Sequence, residues 1–160
     1  MFRKIPTRCF ILFAIIFTFA CNTSSYKSSI PSAPINIRLY LPNYIRLSAP
    51  NENMYFTERN EVNGVFAIGY GGVLIHTYVD TRNGNTLYSA FDMACPYEIN
   101  RNTRVYPDNT GMYAVCEECD SKFDLSTGLG QVAQEPAKEN LKRFNAFIDG
   151  AYLRVIPRHE

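Results

Sequence analysis

The sequence predicts an antiparallel all-β domain, a β-sandwich or small barrel carrying two cysteine-bearing loops. Three observations predict it. Residues 35–41 alternate apolar and polar with a period of two. β-Branched and aromatic runs are punctuated by Gly-Gly, Asn-Gly and Asp-Gly at intervals of roughly eight to twelve residues. No helix-period stretch longer than about two turns occurs beyond residue 34. The chain has 160 residues, 46% hydrophobic and 19% charged, which suits one domain of ordinary size. That composition excludes a disordered chain, a collagen and a polytopic membrane protein.

The first element is an export segment. Arg3, Lys4 and Arg8 precede a twelve-residue apolar run, Cys9 to Ala20, and no acid occurs in these twenty residues. As a helix the run spans about 18 Å, too short for a hydrocarbon core of about 30 Å, so residues 1–20 are expected to be a cleaved signal peptide. Thr18-Phe19-Ala20-Cys21 resembles the bacterial lipobox, which implies that Cys21 becomes the lipidated first residue of the mature protein. Residues 21–34 follow as a Ser-rich, Pro-punctuated stretch, expected to be a lipid-anchored flexible tether reaching roughly 40 Å. The expected location is the bacterial cell envelope, on the membrane through this anchor. Without Arg3, Lys4 and Arg8, thirteen basic residues oppose fifteen acidic ones, so the mature chain lacks the cationic surplus that nucleic acid requires.

The β domain is expected over residues 35–158. Ile35, Ile37, Leu39 and Leu41 place one face of the first strand inward. Residues 65–70 and 73–79 are strand-like runs separated by Gly71-Gly72, and Asn83-Gly84 separates the second from residues 86–91; both breaks read as hairpins. Residues 112–115 form a further strand, and residues 143–148 and 151–156 flank Asp149-Gly150 as a terminal hairpin. His76, in the middle of the run 73–79, reads as a half-exposed strand residue without a site role. His159 lies next to the C-terminus.

Chemistry concentrates on the cysteines. Apart from Cys9 and Cys21, the thiols are Cys95, Cys116 and Cys119, in the stretches AFDMACPYE and AVCEECDSKFDLSTG. Cys-x-x-Cys at 116 and 119 is a common half-site for zinc or iron, because two thiolates in one tight turn converge on a metal. In an exported protein a disulfide among the three competes with that reading.

These residues resemble a family. Ala94-Cys95-Pro96-Tyr97, then Cys116-Glu117-Glu118-Cys119-Asp120-Ser121-Lys122-Phe123-Asp124, Thr127-Gly128, Pro136-Ala137, Leu141 and Arg143 are similar to the Rieske iron–sulfur domain, whose two loops hold a [2Fe–2S] cluster on an antiparallel β fold. The resemblance covers roughly residues 35–156 and implies that the two loops fold against each other. Carried over by position, the family's cysteines fall on Cys95 and Cys116, and its histidines fall on Tyr97 and Cys119. Both imidazoles that raise a Rieske centre's potential are therefore replaced. The pattern also resembles bacterial Rieske-like lipoproteins in which the second histidine is a Cys.

Three readings of the site follow. In the first, Cys95, Cys116 and Cys119 give three thiolates to a metal and Glu98 or Tyr97 gives a fourth, harder donor; zinc accepts such a set more readily than an iron–sulfur cluster does. In the second, a disulfide joins the loops, closing about twenty residues and stabilising the fold by roughly 3 kcal/mol. In the third, Cys116 and Cys119 form a redox dithiol, which the acids Glu117, Glu118 and Asp120 are expected to suppress by raising the thiol pKa values. No catalytic constellation is evident: Asp92, Glu117, Glu118, Asp120 and Asp124 read as solvated turns, and Gly69-Tyr70-Gly71-Gly72 lacks the features of a phosphate loop. The functional expectation is a membrane-tethered redox or metal-binding accessory domain. The alternative is a cofactor-free, disulfide-stapled interaction module with a protein partner in the envelope.

Overall fold

The computed structural model describes residues 27–158; the expected signal peptide, Cys21 and His159 lie outside them. The described chain is all-β, with eleven strands. In chain order these are β1 (Ile35–Tyr40), β2 (Asn53–Phe56), β3 (Val65–Ile68), β4 (Val73–Val79), β5 (Thr86–Asp92), β6 (Val105–Pro107), β7 (Tyr113–Cys116), β8 (Lys122–Asp124), β9 (Gln131–Gln134), β10 (Arg143–Asp149) and β11 (Tyr152–Ile156). Every pairing is antiparallel. A seven-stranded sheet, ordered β2-β4-β5-β10-β11-β1-β3, curls into a nearly closed barrel, and a four-stranded sheet ordered β6-β7-β8-β9 carries the second cysteine loop. No helix among the described residues is long and apolar enough to cross a membrane.

β1 behaves as its alternation predicts: Ile35, Ile37 and Leu39 are buried and the residues between them are exposed. They pack with Val73, Ile75, Leu153 and Val155 in the barrel core. A second core joins the sheets and includes Leu74, Phe91, Met93, Phe123, Leu125 and Leu141 together with Cys95 and Cys116. β4 is the seam between the two cores, which is why it is buried on both faces from Val73 to Thr77. His76 lies on this seam and is 0% exposed, so the half-exposed position expected for it is corrected: it shares a face of β4 with Leu74, and that face is covered by the second core.

The terminal hairpin forms as read, with Asp149 opposite Tyr152 across Gly150 and Ala151. The Asn83-Gly84 break lies in the β4–β5 hairpin, whose last pair is Val79 and Thr86. The Gly71-Gly72 break is not a hairpin. β3 pairs with β1, whereas β4 pairs with β2 and β5. The reason is local: the backbone N–H groups of Tyr70 and Gly71 donate to the Asp92 carboxylate at 2.7 and 2.9 Å, and that of Gly69 donates to Pro34. The turn's donors are thus satisfied away from any strand partner, and the chain crosses between regions of the sheet. Asp92 is 1% exposed, which corrects its reading as a solvated acid. At the Thr127-Gly128 turn the φ of 70° and a Tyr78 ring 2.5 Å from the position of any Cβ both require glycine.

Packing begins at Ser28, ahead of the boundary placed at Ile35. Ile30 is 2% exposed, Ser28 and Ser29 donate to the Glu139 carboxylate at 2.8 Å, and the Lys142 ammonium donates to the carbonyls of Ile30 and Pro31 at 3.0 and 3.2 Å. One buried apolar side chain and one saturated ammonium hold as a strap a segment whose composition reads as free linker.

Candidate metal centre

Both cysteine loops are positioned by strands that enter the second core. Loop one leaves β5 and is closed at its base by the Ala94–Arg104 bridge and by the Cys95 N–H donating to Thr103 at 3.0 Å. Loop two is the β7–β8 turn, closed by the Cys116 N–H donating to Ser121 at 3.0 Å. Val105 pairs with Cys116, so β6 carries the end of loop one directly beside the start of loop two. This pairing brings together cysteines about twenty residues apart in the chain.

The three sulfurs lie within 4.8 Å of one another. Cys95 Sγ and Cys119 Sγ are 3.7 Å apart, and all three residues are free thiols. Cys95 and Cys116 are 0% exposed, whereas Cys119 is half-buried. A tetrahedral metal with sulfur ligands at about 2.3 Å separates them by about 3.8 Å, so the Cys95–Cys119 pair matches one edge of a single-metal site.

Each buried sulfur faces backbone donors, those of Tyr97 and Glu98 at Cys95 and those of Glu118 and Cys119 at Cys116. Burial pushes the Cys95 thiol up to about 12, further raised by neighbouring Cys116, and these donors only partly offset it. Burial raises Cys116 as well. Cys119 moves the other way: burial raises it, but the hydroxyl and backbone N–H of Ser121 and the two neighbouring thiols bring it below its usual value. The expectation that flanking acids raise the Cys116 and Cys119 pair is therefore corrected, since burial governs Cys116 and the Ser121 donors govern Cys119.

Ser121 escaped sequence reasoning. It is fully buried, its Oγ accepts the Ala137 N–H at 2.9 Å, and it lies 3.1 Å from Cys119 Sγ. With that acceptor role filled, the hydroxyl proton is available to the sulfur. Asp92 also escaped it. One oxygen accepts from both Gly71 and Ala94 at 2.9 Å, so the carboxylate ties the Gly-Gly turn to the residue before Cys95. Desolvation nonetheless raises its pKa against these donors.

Of the fourth-donor candidates, Tyr97 is 55% exposed, and the exposed Glu98 does not place its carboxylate within the sulfur cluster.

No protein-family model matches the sequence, and no curated protein matches it. Among solved structures the chain is similar to the ferredoxin of carbazole 1,9a-dioxygenase from Nocardioides aromaticivorans IC177, with a TM-score of 0.45 and 15% sequence identity over 79% of this chain and 100% of that one.

Proposed function

We propose that this protein is an exported, lipid-anchored metal-binding domain of Rieske-like architecture, whose Cys95, Cys116 and Cys119 hold a soft metal at the cell envelope in a redox or metal-carrying accessory role. The observation that carries the reading is the convergence of three sulfurs within 4.8 Å from two loops, two of them fully buried and faced by backbone donors. Such donors stabilise thiolates, and metal binding requires thiolates. Thiolate sets without imidazole select zinc, monovalent copper or iron–sulfur chemistry.

The residues do not fit a Rieske [2Fe–2S] cluster. That cluster takes cysteines on one iron and histidines on the other. Here the positions of the second iron's ligands carry an exposed tyrosine and a thiol 3.7 Å from Cys95 Sγ. Ligands of two different irons are set apart by the width of the bridged core, and Cys119 instead sits beside Cys95 as a ligand of the same ion would.

Metal analysis and a free-thiol count on protein purified without reductant test the reading. One zinc or copper per chain, with three thiols that become reactive only after chelation, supports it. A metal-free protein with two of the three thiols oxidised supports the disulfide-stapled module instead, and stoichiometric iron and sulfide restores the two-iron cluster.

A further inference from the structure

The two cysteine loops follow the same backbone path. In each, a fully buried Cys begins a four-residue turn. The N–H of the residue four positions on donates to the carbonyl of that Cys, Ile99 to Cys95 at 2.9 Å and Asp120 to Cys116 at 3.0 Å. That residue is left-handed in both loops, with φ of 51° at Ile99 and 57° at Asp120. For the β-branched Ile99 this conformation is costly and persists only where its surroundings impose it. The N–H groups two and three positions on face the sulfur of each Cys.

This repeat sets up a correspondence. Cys116 matches Cys95, Glu118 matches Tyr97, and Cys119 matches Glu98. In loop two the position two residues after the Cys is exposed and the position three residues after it delivers a sulfur to the cluster. By the same geometry Tyr97 points outward, and Glu98 stands at the backbone position from which a fourth corner of a paired-knuckle site is reached. Resting on the metal-binding reading above, we infer that the centre holds a single divalent ion of zinc type bound by Cys95, Cys116, Cys119 and the Glu98 carboxylate. The exposed Glu98 side chain turns onto the ion when it binds. Two methylenes and a carboxylate give it more reach than the cysteine that already makes the contact from the equivalent position. The three sulfurs provide the soft donors and the carboxylate the hard one, a set that zinc and cobalt(II) accept.

Cobalt(II) titration of the mature chain in a deoxygenated buffer tests the inference, with Glu98→Gln, Glu98→Cys and Tyr97→Phe variants beside the wild type. All three substitutions are at exposed positions, and circular dichroism checks that each variant is folded. Wild type should show thiolate charge-transfer bands and the intense d–d bands of tetrahedral cobalt. Glu98→Gln should alter the d–d bands and weaken binding by about tenfold or more, since losing a ligand costs no less than losing an outer-shell partner. Glu98→Cys should add charge-transfer intensity for a fourth sulfur, and Tyr97→Phe should match wild type. If both Glu98 variants give the wild-type spectrum and affinity, or if Tyr97→Phe alone changes them, Glu98 is not the fourth ligand although the three-thiolate site stands. A wild-type protein that binds no cobalt overturns the metal-binding reading together with this one.

Discussion

His76 gives a stability test independent of any metal. Its ring is fully buried on β4, its Nδ1 lies 3.0 Å from Asn53 Oδ1, and its Nε2 has no partner among the described residues. The Asn53 amide nitrogen donates to Gly111 at 2.8 Å, so its oxygen faces the ring and Nδ1 must carry the proton. Protonating Nε2 would place a new N–H where no acceptor waits. Burial accordingly lowers the His76 pKa from 6.5 to about 4, with Asp124 only partly opposing it. The folded value lies below the unfolded one, so the stabilisation from a neutral ring is fully present above pH 6.5 and is lost as the pH falls toward 4. Between about pH 8 and about pH 5 the expected loss is about 2 kcal/mol, approaching about 3 kcal/mol in stronger acid. Urea unfolding of wild type and His76→Gln, with chelator and reductant present, measures it. Wild type should lose about 2 kcal/mol more than the variant over that pH range. Parallel curves for the two proteins would refute the reasoning, because every other titrating group is common to both.

Three further outcomes follow from the same packing. Asp92→Asn should destabilise the fold by about 1–3 kcal/mol in urea, because an amide NH2 must face a backbone N–H where a carboxylate oxygen now accepts. Ile30→Ala should expose residues 28–33 to fast amide exchange at a cost of about 2–5 kcal/mol to strap docking, while the β1–β11 ladder stays protected. Because the Cys95 and Cys116 thiols are both raised by burial, metal uptake should displace at least these two protons near neutrality. Competition with a chromophoric chelator should then show affinity rising at least about 100-fold per pH unit.

The fold was legible wherever side chains alternate or turn residues demand it. The β1 register follows from Ile35, Ile37 and Leu39, and the β10–β11 hairpin follows from Asp149-Gly150. β2, β6, β8 and β9 were not legible: each has three or four residues, and β9, Gln-Val-Ala-Gln, is mostly exposed, so no apolar face marks it. The Gly71-Gly72 error has the same root, because its real partner is a carboxylate on a different strand, which local pattern cannot reveal. The strap was missed because a single Ile30 among serines and prolines carries no periodicity. The convergence of the three sulfurs was legible only in part: spacing marks Cys116-x-x-Cys119 as one tight turn, whereas bringing Cys95 to it rests on the resemblance of both loops to the Rieske pattern. Ser121 and Asp92 act through tertiary hydrogen bonds and leave no local mark. The equivalence of Glu98 and Cys119 becomes visible only when the two turns are seen to share one backbone path.

X-ray absorption at the metal edge of the purified protein tests the central claim most directly, because it counts donors and detects a second metal at once. A mononuclear centre on Cys95, Cys116 and Cys119 predicts a shell of three sulfurs at about 2.3 Å and one oxygen near 2.0–2.2 Å, with no metal–metal scattering. A metal–metal vector, or a first shell with fewer than three sulfurs, would contradict it.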